Sequence, residues 1–314
     1  MPRTSCLYGN SGDSKTTQLY FVAKWLWETL QLRSRVISYD GKFDQFTLGK
    51  PSLRDQGAVQ ILNMVNSKNA LSQTRMLSEG YWPIKTKEGG VYFKADKNCQ
   101  TIEKDNIGAY LIDGISGLCD GWLVHISDQS PGMGKALTPS FSFEEGGYNF
   151  NGTQDSYYGL VQKELMRVIK QNFNTLPVQY VMYTALVEKG VEGFKRRRVP
   201  RGGEQDGMAL NQTTLYGPKA AGQALTSYLP GWFSDCFHIS RMTANVKDGG
   251  KQEIRVAWYE THEDFNTEVP YLARVDILPE NIVQLREKFK GGFIPLGLKS
   301  GVDKFYRFIE EVNG

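Results

Sequence analysis

The sequence lacks the cysteine patterns that mark metal-binding and disulfide-rich proteins. Among 314 residues there are four scattered cysteines, and no two of them form a C-x-x-C pair: Cys6, Cys99, Cys119 and Cys236. This spacing argues against a structural zinc site and gives no support to a disulfide framework. We therefore expect reduced and mostly buried thiols, as in a cytoplasmic protein.

Long apolar runs and a strong net charge are also absent. Every apolar stretch is far shorter than the roughly 20 residues that span a bilayer, so we predict no membrane association. Charged residues make up 23% and hydrophobic residues 40%, which is ordinary for a globular protein. The net charge is only +3, so affinity for nucleic acid must come from a local basic cluster rather than from overall charge.

A segment near the N-terminus is the most informative part of the sequence. It follows the pattern G-x-x-x-x-G-K-[ST], except that a serine stands where the second glycine is usual, and it comprises Gly9, Asn10, Ser11, Gly12, Asp13, Ser14, Lys15, Thr16 and Thr17. A β-prone run precedes it, and apolar spacing predicts a helix over 16–32. Backbone N–H groups at such a helix start bind phosphates. The alternative is a glycine-rich turn, which the Lys-Thr pair disfavours.

Individual side chains of this predicted phosphate loop have distinct expected roles. The Lys15 ammonium group is expected to reach the β- and γ-phosphates, and the Thr16 hydroxyl to bind Mg²⁺. Ser14 is strained if its position requires a positive φ, which glycine tolerates without cost.

Two aspartates and a threonine follow predicted strands. Asp113 closes the apolar strand 109–113 and is predicted to hold Mg²⁺, with a helix N-cap as the alternative. Asp40 follows a strand and is a candidate general base, but the Asp-Gly dipeptide is equally typical of a turn, and both interpretations stay open. Glu79 and Asp44 are the next candidate bases. Thr184 ends a strong strand and could contact the γ-phosphate.

The remaining pattern predicts an α/β fold. Strands alternate with helices, which favours a mostly parallel central sheet with helices on both faces. We expect a helix over 55–79, long irregular segments over 120–155 and 188–217, and a small C-terminal α/β appendage. The predicted domains are a core of residues 1–260 and an appendage of residues 261–314.

A basic run lies within the second irregular segment. It combines one aromatic residue with five cations in a Gly- and Pro-containing stretch: Phe194, Lys195, Arg196, Arg197, Arg198 and Arg201. Such a run can follow a phosphate backbone while the aromatic ring stacks on a base, so we predict contact with single-stranded DNA. The alternatives are a solvated loop and an arginine finger that completes a neighbouring subunit's ATP site.

Together these elements resemble the RecA-like family of P-loop ATPases over about residues 4–260. The phosphate loop, the strand ending at Asp40, the strand ending at Asp113 and the strand ending at Thr184 come in the family's order, although the family has a glutamate at the position of Asp40 and its recombinase a glutamine at that of Thr184. The segment from 216 to 235 resembles bacteriophage members associated with single-strand annealing and recombination.

The resemblance implies an ATPase that uses ATP and Mg²⁺, is stimulated by DNA, and forms a ring or filament on single-stranded DNA in the cytoplasm of a phage-infected bacterium. The alternatives are a virion-associated or DNA-packaging motor, a nucleotide-binding assembly protein with low turnover, and a small-molecule kinase. Packaging motors generally place a glutamate directly after the magnesium-binding acid, where this chain has Gly114. A kinase of small molecules has no need of a long basic loop.

Overall fold

A computed structural model gives the fold of the chain. It describes residues 1–65, 69–86, 90–100, 106–129, 140–153, 157–192, 214–221, 223–245, 251–263 and 270–313.

Thirteen strands and eight α-helices are assigned within these residues. The strands are β1 (Arg3–Gly9), β2 (Arg33–Ser38), β3 (Val59–Asn63), β4 (Tyr81–Lys85), β5 (Val91–Ala95), β6 (Ile107–Asp113), β7 (Ser140–Glu145), β8 (Tyr148–Thr153), β9 (Tyr180–Glu192), β10 (Thr214–Pro218), β11 (Asp235–Asn245), β12 (Lys251–Trp258) and β13 (Phe293–Leu296). The helices are α1 (Lys15–Leu30), α2 (Asp44–Thr47), α3 (Ala70–Ser78), α4 (Ile115–Gln129), α5 (Tyr157–Leu165), α6 (Gln223–Tyr228), α7 (Pro279–Lys288) and α8 (Asp303–Asn313). A π-helical segment, Met166–Asn172, continues α5.

The central sheet has the order β13-β12-β11-β1-β9-β6-β2-β3, and β10 pairs with β9. The six strands from β11 to β3 pair in parallel, whereas β12 and β13 add antiparallel neighbours at one edge. Two small hairpins, β4–β5 and β7–β8, lie outside this sheet. The predicted fold class, a mostly parallel sheet flanked by helices, is confirmed.

Both faces of the sheet are buried, and each face has its own hydrophobic core. Trp25 of α1 packs on one face with β-strand residues such as Leu111, and Trp122 of α4 packs on the other with residues such as Tyr183. Strand β6 is buried along its whole length, as expected for a parallel strand covered on both sides. Burial of each such side chain contributes roughly 1.5–3 kcal/mol, so this sheet is a rigid platform for the loops at its carboxyl edge.

Three sequence predictions need correction. Residues 55–79 contain strand β3 and the short helix α3, instead of one helix, because the apolar run 58–64 pairs in parallel with β2. The segment 120–155 contains most of α4 and the hairpin β7–β8. The segment 188–217 begins with the end of β9 and ends with β10, which pair antiparallel. Except for α4, each error took a short apolar or aromatic run as irregular or helical where a strand partner decides its structure.

Residues on both sides of the predicted boundary at residue 260 share one layer of the molecule. Strand β13 pairs with β12, and Tyr306 of α8 stacks on Trp25 of α1 with ring centroids 6.3 Å apart. The proposed division into a core and an appendage stays a prediction.

None of the helices within the described ranges combines the length and the apolar character needed to cross a membrane.

Candidate nucleotide-binding site

The predicted phosphate loop connects β1 to α1 at the carboxyl edge of the parallel strands. Gly12 has φ +87°, and Ser14, directly before the first residue of α1, has φ +68° and ψ +26°. Ser14 thus adopts the left-handed conformation that normally favours glycine. The turn needed to start α1 here imposes this conformation, and the serine bears the strain.

Contacts within the loop fix its shape. The Asn10 N–H donates to Asp13 Oδ2 at 2.7 Å, which folds the buried Asp13 side chain back over the loop. Gly9 packs so closely on β11 that a Cβ atom there would lie 2.3 Å from the carbonyl oxygen of Ile239. Only glycine fits at this position without a shift of the backbone.

Lys15 lies across the loop that it follows. Its Nζ donates to the carbonyl oxygens of Gly9 at 3.0 Å and of Asn10 at 2.6 Å. Burial lowers the pKa of this half-buried ammonium group, and the negative charges of Asp13 and Asp113 partly oppose that. The cation is therefore held at the mouth of the loop, where the phosphates of a ligand would meet it.

Asp113 lies beside the loop, at the end of β6, and accepts hydrogen bonds from two threonine hydroxyls. Thr16 Oγ1 is 3.1 Å and 3.0 Å from its two carboxylate oxygens, and Thr184 Oγ1 is 2.6 Å from Oδ1. The Gly114 N–H donates to Thr184 Oγ1 at 2.8 Å, which orients the threonine. The pKa of Asp113 is raised to about 6, mainly by burial and also by the charge of Asp40, while the hydrogen bonds from Thr184 and Thr16 oppose the rise.

This arrangement follows from strand order. Strand β9 lies between β1 and β6, so Thr184 comes between the loop and Asp113. Because the three strands are parallel, the carboxyl ends of β1 and β6 lie at one edge. Thr184 lies there too, opposite Leu7 of β1, but it does not end its strand as predicted, because β9 continues to Glu192. The sequence indicated each residue separately, and the sheet brings Lys15, Thr16, Asp113 and Thr184 together.

Asp40 lies both at a turn and in the lining of a cleft, so both interpretations that the sequence left open stay predictions. Gly41 has φ +70°, so the dipeptide does form a turn. The Asp40 carboxylate nevertheless lies over α4, where a Cβ atom on Gly117 would be 2.1 Å from its Oδ1 and one on Gly114 would be 2.5 Å away. Burial raises the pKa of Asp40, and the charges of Lys42 and Lys15 oppose the rise.

A cleft of about 410 Å³ joins these groups. Its lining includes residues that the sequence analysis missed: Lys42, Asp44, Gln45 and Ser116, of which Asp44 was considered only as a substitute base. Gln45 Nε2 donates a hydrogen bond to Thr17 Oγ1 at 2.7 Å, and the Ser116 hydroxyl oxygen accepts one from the Leu186 N–H at 3.0 Å. These residues come within seven positions of the ends of β2 and β6, which alone does not distinguish them from solvated polar residues.

Glu79, the other substitute base, has a different environment. It accepts a hydrogen bond from the Tyr148 hydroxyl at 2.7 Å and pairs with Arg75 at 3.3 Å, on α3 and the β7–β8 hairpin. The basic run Phe194–Arg201 lies outside the described residues.

The donor set at Asp113 suits Mg²⁺. A threonine hydroxyl and a carboxylate are hard oxygen ligands, and Mg²⁺ binds few protein groups and keeps several waters or phosphate oxygens. Thr16 Oγ1 lies within 3.1 Å of both Asp113 oxygens, so these donors already converge on one point of the cleft. Thr16 and Asp113 are the residues that would hold the ion.

No protein-family model and no curated protein sequence matches this chain. Among solved structures, the chain is similar to a KaiC-like protein from the hyperthermophilic archaeon Pyrococcus horikoshii. The two are 10% identical, the alignment covers 86% of this chain and 83% of that chain, and the TM-score is 0.37.

Proposed function

We propose that this protein is an ATPase that binds ATP and Mg²⁺ in the cleft between β1, β6 and β2, and that it acts on single-stranded DNA in bacteriophage recombination or replication. One observation supports the first part most directly: Lys15, Thr16, Asp113 and Asp40 line a single cleft at the start of α1. A phosphate loop, a metal-binding pair and a candidate base are the parts that phosphoryl transfer from ATP to water requires.

Each residue has a defined task in this proposal. The N–H groups of the loop and Lys15 bind the phosphates, and Thr16 and Asp113 hold the metal ion, which supplies charge neutralisation at the phosphate oxygens. Asp40 accepts the proton of the attacking water. Its raised pKa favours this task, because a base is most effective when its pKa approaches the working pH.

The second part of the proposal rests on strand β9 and the basic run. Thr184 in the cleft and Glu192 at the end of β9 belong to the same strand, and the basic run of the sequence begins directly afterwards. A strand is a stiff connection, so binding of DNA by Lys195–Arg201 is coupled to Thr184 and Asp113. Assembly into a ring or filament would repeat this unit along the strand of DNA.

The first experiment measures binding of a fluorescent ATP analogue and ATP turnover, each with and without single-stranded DNA. Lys15→Ala should abolish nucleotide binding, and Lys24→Ala, on the exposed part of α1, is the control for a lost charge. Asp113→Asn should retain part of the binding and lose Mg²⁺-dependent turnover. Unchanged binding by Lys15→Ala would refute the site, and tight binding without turnover would select the assembly-protein alternative.

The second experiment tests the DNA partner. Replacement of Arg196, Arg197 and Arg198 by alanine should weaken binding of single-stranded DNA, and each lost phosphate contact should lower the slope of log affinity against log salt by about 0.7. If DNA affinity holds and turnover collapses, the run acts as an arginine finger instead. Restored activity on mixing with Lys15→Ala subunits would confirm that reading.

A further inference from the structure

The segment between β2 and α2 contributes Asp40 and Lys42 to the lining of the cleft, and both of its ends are anchored. At its start, the Tyr39 N–H donates to the carbonyl oxygen of Asp113 at 2.9 Å. At its end, Gln45 bonds to Thr17 at 2.7 Å, and the fully buried Phe46 packs edge-on against Tyr20 with ring centroids 5.9 Å apart. The residues between these anchors therefore have a defined position at the cleft.

Lys42 is the cation of this segment. Its side chain lines the same cleft as Lys15, Thr16 and Asp40, and it is exposed to solvent. Across the described part of the chain, no ion pair or hydrogen bond joins its ammonium group to another residue. The Lys42 ammonium group can therefore bind an anion in the cleft without breaking an ion pair or a hydrogen bond to a described residue.

The positive charge of Lys42 affects two other residues that line the cleft, Lys15 and Asp40. Burial lowers the pKa of Lys15, and the charge of Lys42 lowers it further. Burial raises the pKa of Asp40, and among the charges that oppose the rise Lys42 has the largest effect. Lys42 follows Asp40 by two residues and lines the cleft with it, while Lys15 is held over the loop by Gly9 and Asn10.

We propose that Lys42 binds the terminal phosphate of a nucleoside triphosphate and makes the cleft discriminate between ATP and ADP. The inference rests on the proposed function, in which Asp40 activates the water that attacks this phosphate. A cation beside Asp40 is therefore beside the γ-phosphate. Lys15, by contrast, is expected to reach the β-phosphate as well as the γ-phosphate, so it contributes to the binding of both nucleotides. A flexible lysine is a suitable point charge for such a contact.

Calorimetric titration with Mg²⁺ and either a non-hydrolysable ATP analogue or ADP tests this assignment. Lys42→Ala should weaken binding of the ATP analogue on the order of 10- to 100-fold, the usual size of a lost charged hydrogen bond, and leave ADP affinity within about 2-fold. Lys42→Arg should restore most of the preference for the triphosphate. Lys24→Ala is the matched control, because it removes one lysine charge outside the cleft.

The outcomes separate this inference from the proposed function. Equal losses for both nucleotides would overturn it, because Lys42 would then act on the whole cleft and not on the terminal phosphate. Unchanged affinities would overturn it as well, while loss of binding in Lys15→Ala would leave the nucleotide site itself intact as a proposal. If the wild-type protein binds neither nucleotide, both the function and the role of Lys42 are wrong.

Discussion

Two buried aspartates lie at opposite edges of the parallel sheet, in contrasting environments. Asp235 is the first residue of β11, at the amino edge, and Arg3 binds it with two hydrogen bonds of 2.7 Å and 2.6 Å. The Ser5 hydroxyl at 3.0 Å and the Asp276 N–H at 3.1 Å complete its environment. The protein itself supplies the countercharge for this carboxylate, as a buried ion requires.

Asp113, at the carboxyl edge, is as deeply buried, but among the described residues its carboxylate accepts hydrogen bonds only from the hydroxyls of Thr16 and Thr184. Within the described residues no lysine or arginine forms an ion pair with it, and burial raises its pKa to about 6. At the amino edge, the carboxylate of Asp235 is therefore neutralised by a cation of the protein. At the carboxyl edge, the carboxylate of Asp113 can be neutralised by a cation that a ligand brings. Perturbed carboxylates of this kind concentrate at functional sites.

Loss of the Arg3–Asp235 ion pair should have the largest effect on the free energy of unfolding. Arg3→Ala leaves Asp235 buried without its cation, and loss of one partner of a buried pair costs about 3–5 kcal/mol. Urea denaturation at neutral pH measures the loss. Arg286→Ala is the control, because the Arg286–Glu260 pair has a similar 2.6 Å separation but is exposed, and solvent screens such pairs so that they contribute little to stability. Equal effects of both substitutions would show that the amino edge is not a stabilising element.

Replacement of Asp113 by a neutral residue should change the free energy of unfolding in the opposite direction and stabilise the protein. The folded-state pKa of Asp113, about 6, exceeds its ordinary value, so the folded protein binds the proton more tightly than the unfolded chain. Ionisation therefore costs stability as pH rises from about 4 through 6. Asp113→Asn should raise the free energy of unfolding of the nucleotide-free protein by up to about 3 kcal/mol above pH 6 and by little near pH 4.

Thermal melts from pH 4 to 8 check this prediction, with the exposed Asp128→Asn as the control. The same Asp113→Asn variant should lose turnover, so stability and activity should change in opposite directions, as is common at functional sites. A gain in stability that does not depend on pH would mean that packing, and not ionisation, is the cause.

The comparison also explains what the sequence could predict. The phosphate loop, Asp113 and Thr184 come at the ends of recognisable apolar runs, and parallel pairing brings them to one edge, although β9 continues beyond Thr184 to Glu192. Strand β3 was missed because its identity depends on pairing with β2, which no local pattern encodes. The Arg3–Asp235 pair was missed for the same reason, since its partners are 232 positions apart.

Lys42 and Gln45 illustrate a further limit. Both follow a strand end in sequence, as the predicted site residues do, but nothing local distinguishes them from solvated polar residues. Their place at the cleft depends on the burial of Phe46 against Tyr20 and on the bond from Gln45 to Thr17. Such tertiary anchors decide which polar loop residues face a site.

The smallest expected effect concerns helix α1, which runs from the functional edge of the sheet towards the other edge. Two L-residues in the left-handed conformation flank it, Ser14 with φ +68° and Gln31 with φ +54°. A left-handed residue costs roughly 1–2 kcal/mol, and the greater freedom of glycine in the unfolded chain offsets about 0.4–1 kcal/mol of the relief. Ser14→Gly and Gln31→Gly should therefore each stabilise the protein by about 0.5–1 kcal/mol.

Paired denaturation curves of the two glycine variants sharpen the comparison of the two edges. Ser14→Ala is the control at the functional edge: it keeps the left-handed strain and removes a hydroxyl that makes no capping hydrogen bond, so stability should stay within about 0.5 kcal/mol. Gln31→Gly also removes the 2.8 Å hydrogen bond from Gln31 Nε2 to the Trp27 carbonyl oxygen. Similar gains for Ser14→Gly and Gln31→Gly would therefore show that this bond contributes little and that backbone strain has the same cost at both ends of α1. A loss of stability in Ser14→Gly alone would mean that the serine side chain holds the phosphate loop in shape, and the functional edge would then differ from the other edge in backbone as well as in charge.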